Sequence, residues 1–207
     1  MHSVETLILV TGFTEAPYLS AIAAERFPSI RAVHAPDKAT LKASIAELRE
    51  SVGTARLVTI ATDIIVPASI LQCLPTRGYN FHAGPPAYPG SHPASFAIYE
   101  RAETFGVTLH ELAPAIDTGR IVDVERFAIG PDAIATDLNG VAYAAVMRMF
   151  SKWLDSLLNT TDDLLFGKET WAGPARTRAE AARLADLDTG SDPVELDRRK
   201  RAFSLIR

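Results

Sequence analysis

The sequence predicts a three-layer α/β/α fold in which a mostly parallel sheet lies between helices, with antiparallel strands at one end. Three short runs are typical of strands in a parallel sheet, residues 6–10, 30–34 and 57–61, and the first of them is apolar enough for a buried strand. Helical segments separate these runs, and strands that alternate with helices at short spacing form parallel sheets. Two later strand-like runs, 107–112 and 121–129, are joined by a polar turn instead, which predicts antiparallel pairing.

The helices are predicted from apolar spacing and from residues that stop a helix. The segment 17–26 is rich in alanine and ends before Pro28. The segment 38–51 is amphipathic, with leucine and isoleucine along one side. Residues 92–102 form a further helix, and 133–158 carry the longest helical pattern in the chain.

The sequence predicts one domain, residues 1–158, which is followed by a short C-terminal extension, residues 159–207. A chain of 207 residues is long enough for one sizeable α/β domain with a buried core. Beyond residue 158 the sequence changes to polar loops and two short helices, 178–184 and 193–203. We expect this extension to be too small to form an independent domain.

Composition and charge exclude several functional classes. A net charge of -4 offers no basic surface for RNA or DNA. The single cysteine, Cys73, rules out an internal disulfide and indicates a reducing compartment. No apolar stretch approaches the roughly 18 residues that cross a bilayer, and the apolar run 7–10 lacks the basic flank of a signal peptide. We expect a cytoplasmic protein with neither a nucleic-acid nor a membrane partner.

The stretch 78–90 carries the candidate chemistry. Asn80 and His82 stand two residues apart at the predicted end of a strand, so both side chains point to the same face. The prolines and glycines that follow, as far as Gly90, make a stiff loop beside this polar pair. An amide and an imidazole on one face supply the donors that a developing oxyanion requires.

A third candidate is Asp117, which lies in the polar turn 115–120. A carboxylate close to His82 would raise the pKa of the imidazole and could collect a proton. From the residues alone a structural role stays open, because strand-end polar residues often act as caps and Asp-Thr-Gly is a common turn. No metal site is predicted, since the histidines form no His-x-x-x-His pair and His110 and Glu111 face apart on a strand.

In order and spacing, these residues resemble the formyltransferase family. The matching pieces are Asn80-x-His82, the proline-rich loop ending at Gly90, Gly106-Val107-Thr108-Leu109-His110, and Asp117-Thr118-Gly119-x-Ile121. The resemblance extends over about residues 57–125. It implies the Rossmann-like formyltransferase fold, with Asn80, His82 and Asp117 as the catalytic residues.

The resemblance also implies a donor and its binding residues. The donor would be N10-formyltetrahydrofolate, used without a metal or a covalent enzyme intermediate. Its pterin ring would lie against two loops, held largely by backbone groups of Thr62, Asp63, Ile64, Ile65, Val66, Thr118 and Gly119. The residues expected to bind the acceptor are Gly12, Tyr88, Gly90 and His92.

Departures from the family pattern reduce the range of possible acceptors. The glycine-rich first loop that holds a phosphate in the purine-pathway enzymes is replaced by residues 11–17, which argues against glycinamide ribonucleotide. We also expect neither the basic surface nor the extra C-terminal barrel that a transfer-RNA acceptor requires in this family. The loop after His82 is similar to the Gly-Pro-Pro variant of hydrogenase-maturation proteins, with Gly84 in place of a serine. We expect the amine of a small molecule as acceptor.

Two alternatives share the scaffold, and both remain open. One is a formyltetrahydrofolate hydrolase, and the other is a non-catalytic domain that binds folate or another ligand. The basic run 198–201 is either a solvated helix end or a contact to a phosphate or a partner. The sequence leaves the oligomeric state open, and a homodimer is one outcome.

Overall fold

A computed structural model describes residues 3–51, 53–186, 192–204 and 206. In this part of the chain, a six-stranded sheet has the strand order β2-β1-β3-β4-β5-β6. The strands are β1 (Thr6–Val10), β2 (Arg31–His34), β3 (Ala55–Ile60), β4 (Tyr79–His82), β5 (Thr104–Glu111) and β6 (Ile121–Ala128). The helices are α1 (Glu15–Arg26), α2 (Lys38–Ser51), α3 (Ala68–Leu71), α4 (Pro93–Tyr99), α5 (Ala135–Leu158), α6 (Arg178–Ala185) and α7 (Pro193–Phe203).

The direction of the strands changes once across the sheet. The four strands β2, β1, β3 and β4 are parallel, whereas β5 pairs antiparallel with both β4 and β6. The predicted mostly parallel sheet with antiparallel strands at one end is therefore confirmed. This arrangement brings the carboxyl ends of β3 and β4 to the same edge of the sheet, where ligands collect in open α/β folds.

Two apolar layers cover the two faces of the sheet. Leu7 and Leu9 of β1 pack into one layer with α1, α4 and α5, and Ile8 and Val10 pack into the other with α2. Side chains alternate between the faces of a strand, so a strand buried on both faces is apolar at every position. The continuous apolar run at residues 7–10 thus contributes to both apolar layers of the three-layer architecture.

The main differences from the predicted elements lie around the proline-rich loop. The helix α4 is shorter than the predicted 92–102, because His92 and Arg101 adopt left-handed φ values of 55° and 57° and so lie outside it. The helix α3 was not predicted, since four residues are too few for a periodic pattern.

The C-terminal extension packs along α4. Phe203 of α7 lies edge-on against Phe96, with ring centroids 5.5 Å apart, and is itself buried. Thr177 begins α6 with a capping box, in which it exchanges hydrogen bonds with Glu180. Neither these helices nor any other among the described residues is long and apolar enough to cross a membrane.

Candidate active site

A cavity of about 960 Å³ opens beyond the carboxyl ends of β3 and β4. Loops after these strands, the proline-rich loop and the C-terminal extension surround it. The polar residues that line it include His110, which was not predicted to be catalytic. The residues predicted for the site that line this cavity are Thr62, Asp63, Ile64, Ile65, Val66, Asn80, His82, Gly90, His92 and Asp117.

The pairing of β4 with its neighbours orients Asn80. Thr59 on β3 and His110 on β5 are its partners in the sheet register, so the three side chains share one face. The Thr59 hydroxyl donates to Asn80 Oδ1 at 2.6 Å, which turns Nδ2 of the amide toward His110 Nε2 at 2.9 Å. The second N–H of the same amide is left for a ligand in the cavity.

Asp117 is the centre of the polar cluster. Its carboxylate lies 3.3 Å from Nδ1 of His82 through Oδ2 and 3.2 Å from Nε2 of His110 through Oδ1. The backbone N–H of Gly90 donates to Oδ2 at 2.7 Å. Asp117 itself has a φ of 48° and is only 8% exposed, so a strained turn holds the carboxylate between the two imidazoles.

Backbone carbonyls determine which imidazole nitrogens carry protons. His82 Nε2 lies 3.0 Å from the Tyr88 carbonyl, and His110 Nδ1 lies 2.8 Å from the Glu111 carbonyl. A carbonyl only accepts, so each of these nitrogens donates. The nitrogens that face Asp117 are then free of protons in the neutral rings, so His82 Nδ1 and the Asp117 carboxylate are the groups of this pair that can accept a proton.

Burial and charge oppose each other in this cluster. Burial favours the neutral acid of Asp117, but the contacts of the carboxylate with His110 and His82 and the hydrogen bond from the Gly90 N–H outweigh burial and hold its pKa below the ordinary value. Burial also lowers the pKa of His82, and the nearby carboxylate offsets only part of this effect. At neutral pH the cluster therefore contains an ionised carboxylate beside a neutral imidazole, which can accept a proton.

The contacts of the two imidazoles suit proton transfer. Within the ranges that the structure describes, no group of three or more His, Cys, Asp or Glu side chains could hold a metal ion. The outer nitrogens of His82 and His110 contact carbonyl oxygens, and the inner ones share one carboxylate. The cluster can thus move a proton along the line from His82 to Asp117.

The glycines of the proline-rich loop allow this close approach. A Cβ on Gly84 would come 2.5 Å from His82 Nε2, so a serine here would displace the ring. Gly90 has a φ of 93°, and a Cβ there would come 2.2 Å from the Arg176 carbonyl. Ser91 donates to that carbonyl and Arg176 donates to Pro89, which ties the loop to the C-terminal extension.

Gly90→Ala is expected to lower the free energy of unfolding by about 1–3 kcal/mol, since the new Cβ strains the backbone and meets Arg176. The substitution should also weaken the hydrogen bond from the backbone N–H of residue 90 to the Asp117 carboxylate. Urea denaturation measures the loss. Gly130→Ala is the matched control, because a Cβ at Gly130 meets nothing within 4 Å. Equal stabilities of the two variants would contradict this account.

Two residues of the site were missed from sequence. His110 lies opposite Asn80 only because β4 and β5 pair in one particular register. Trp171 comes from the extension and lies edge-on to both imidazoles. The family motif contained His110, but no local signal marked Trp171.

Four of the predicted binding residues are not among those that line the cavity. The Tyr88 ring is buried near Phe105, and Thr118 donates to the Ala115 carbonyl within its own turn. Gly119 lies so close to Glu111 that a Cβ would come 1.8 Å from its carbonyl oxygen. The fourth, Gly12, lies beneath the Glu15 carboxylate at the start of α1. Tyr88, Thr118 and Gly119 thus pack within the loops beside the site, whereas Gly12 lies at the start of α1.

Comparisons with known proteins agree on one family. A family model described as formyl transferase matches residues 24–149, more than half of the chain. The methionyl-tRNA formyltransferase of Cereibacter sphaeroides (strain ATCC 17029 / ATH 2.4.9) is 28% identical over 156 residues. That match covers 74% of this chain and 50% of that protein, so the chain spans about half the length of this relative.

Solved structures of similar fold are more distant in sequence. A sugar N-formyltransferase from a Shewanella species has a TM-score of 0.71 at 19% identity, covering 96% of this chain and 87% of that one. The N-formyltransferase from Helicobacter canadensis, in complex with folinic acid and dTDP-3-aminofucose, has a TM-score of 0.70 at 17% identity, covering 97% and 80%. At these identities the likeness shows a shared fold.

Proposed function

Because the chain belongs to the formyl transferase family, we propose that it transfers a formyl group from N10-formyltetrahydrofolate to the amine of a small molecule. The observation that carries the proposal is the convergence of Asn80, His82 and Asp117 on one cavity at the carboxyl edge of the sheet. Acyl transfer to an amine needs an oxyanion donor and a proton acceptor at one point, and these side chains supply both.

The donor fits the loop that follows β3. Residues 62–66 line the cavity, and Ile65 remains 50% exposed there. Ile116 lines the same cavity and is 48% exposed. Exposed apolar side chains together with backbone polar groups suit a flat heterocycle such as a pterin. The folinic acid in the Helicobacter canadensis complex supports a formylated folate as donor.

The proposed reaction uses the side chains in a defined order. The amine nitrogen attacks the formyl carbon, and the free N–H of Asn80 stabilises the oxyanion that forms. The amine loses a proton to the pair formed by His82 Nδ1 and Asp117, and a proton on Nδ1 makes His82 cationic while the negative charge of the oxyanion is present. The intermediate collapses and the bond between the formyl carbon and folate N10 breaks. N10 then takes up the proton held by His82 and Asp117, and tetrahydrofolate leaves.

The acceptor is proposed to lie beside the C-terminal extension. Ser91, His92, Thr177 and Arg178 line this part of the cavity, and Arg178 forms an exposed ion pair with Asp63. Exposed ion pairs stabilise weakly, so an anionic group on the acceptor can compete with Asp63 for Arg178. The dTDP-3-aminofucose of the Helicobacter canadensis complex supports a small-molecule acceptor that carries an amine.

The proposal includes a cytoplasmic protein without a nucleic-acid partner. The net charge of -4 supports the absence of such a partner, and the single cysteine supports a reducing compartment. A homodimer would be detected as twice the monomer mass in light scattering.

The test is turnover of formyltetrahydrofolate by the full chain with a panel of small amines, including amino sugar nucleotides. Release of tetrahydrofolate that requires an amine, together with a formylated amine by mass spectrometry, is the expected result. Turnover without any amine would identify a hydrolase instead. Folate binding without turnover under every condition would identify a non-catalytic domain.

A further inference from the structure

Trp171 joins the C-terminal extension to the polar cluster. Its ring lies edge-on to His110, with centroids 4.9 Å apart and an interplanar angle of 89°. The same ring lies 5.7 Å from the centroid of His82 at 73°. One aromatic side chain therefore contacts both imidazoles that flank Asp117.

Three hydrogen-bonded contacts hold the Trp171 segment in place. The indole Nε1–H donates to the Gly119 carbonyl at 2.8 Å. The next residue, Ala172, donates to the Pro86 carbonyl of the proline-rich loop at 2.8 Å. Further along, Arg176 donates to Pro89 at 2.8 Å. These contacts join loops from both sides of the cluster, so the position of Trp171 is determined by the same loops that carry Asp117 and Gly90.

Trp171 contacts the cluster without lining the cavity. His82, His110 and Asp117 all line the cavity, whereas Trp171 does not. The indole therefore packs against the two imidazoles from outside the cavity lining. A large apolar ring at this place excludes water and strengthens the interactions of the buried carboxylate.

We propose that Trp171 is a positioning residue, which holds His82 and His110 against Asp117 and shields these side chains from water. This inference rests on the proposed function for its kinetic consequence only. The contact of the indole with both imidazoles is independent of the reaction that the site performs.

The environment of His82 determines what removal of the indole should do. The charged and titratable groups that face His82 are Asp117 and His110, and the Tyr88 carbonyl accepts its Nε2–H. Burial is the largest cause of the lowered pKa of His82. Without the indole, water reaches the ring, and the pKa should rise toward its ordinary value of 6.5.

The experiment compares Trp171→Leu with Trp171→Phe in the full chain. The leucine variant should lose about 10- to 100-fold in kcat, with KM for the folate changed by less than about twofold, because the cluster loosens while the donor loop is untouched. The phenylalanine variant keeps an aromatic ring and should recover most of the rate. Equal kcat values for leucine variant and wild type would overturn the proposal.

A second readout needs no turnover. Titration of the His82 C2 proton by NMR should give a higher pKa in Trp171→Leu than in wild type, and a wild-type value in Trp171→Phe. Trp153→Phe, a change on α5 outside the site, is the control expected to leave both rate and titration unchanged. If wild type proves inactive, the proposed function fails while this titration still decides the role of Trp171, and an unaltered His82 curve in the leucine variant overturns it.

Discussion

Asp117→Asn is expected to lower kcat for formyl transfer by about 10²- to 10⁴-fold. The amide cannot take the amine proton, and it removes the negative charge that both imidazoles face. Asparagine has nearly the same shape as aspartate, and its side-chain oxygen can still accept the hydrogen bond from the Gly90 N–H. Binding of the folate should therefore persist. The measurement is steady-state release of tetrahydrofolate, with folate affinity determined separately by calorimetry.

The matched control is Asp132→Asn, which neutralises an exposed carboxylate in the loop before α5, outside the cavity. It should keep wild-type kcat. Circular dichroism of both variants reports whether the fold is intact. An Asp117→Asn enzyme that retains a third or more of the wild-type rate would remove Asp117 from the proposed chemistry.

The same cluster predicts the acid side of the pH profile. Because burial lowers the pKa of His82, the neutral ring persists as pH falls through 6.5, the ordinary value. Activity should therefore be lost only at lower pH, as His82 becomes protonated. The unfolded chain binds this proton first, so the free energy of unfolding should also fall as pH drops below about 6.5. If activity were instead lost at a pH above 6.5, the ordinary pKa of histidine, the lowered pKa of His82 would be contradicted.

Arg56→Met is expected to cost about 3–5 kcal/mol of unfolding free energy, the largest stability effect predicted for this chain. Arg56 lies on β3 and is fully buried, with its guanidinium over the Tyr79 ring. It donates to backbone carbonyls at the end of α5 and in the neighbouring loops, those of Arg77, Leu157, Thr160 and Asp162. Methionine fills similar space but leaves these acceptors without a donor.

Two variants separate the hydrogen bonds from the charge. Arg56→Lys keeps a positive charge at the negative end of α5 but cannot reach four carbonyls at once, so an intermediate loss is expected. Arg31→Met removes an exposed arginine paired with Glu47 and should change stability by less than about 1 kcal/mol. Chemical denaturation gives all three values, and a loss for Arg56→Met no larger than for Arg31→Met would contradict the assigned role.

Elements with a strong local pattern were predicted well. The apolar run 6–10 coincides with β1, because a strand buried on both faces is apolar throughout. The long helix α5 begins two residues after the predicted position 133 and ends as predicted. The four-residue α3 was missed, since so short a helix has no periodicity to detect.

The residues of the candidate site likewise differ in how well the sequence predicted them. Asn80 and His82 were predicted to share a face from their spacing alone, and both line the cavity. Asp117 entered through the order of the family motif, but its contacts depend on a left-handed turn and on the Gly90 N–H. Trp171 could not be predicted, because the segment that carries it reaches the cluster only after the extension folds back onto the proline-rich loop.

By itself the sequence determined the residue types, the strand and helix periods and the family. These properties are local or are carried by the order of short motifs, so they survive without coordinates. Only the tertiary structure decided that Asp117 lies between two imidazoles and that an indole covers them both. Such contacts depend on strand register and on how distant loops close over one another, and those follow from the packing of the whole chain.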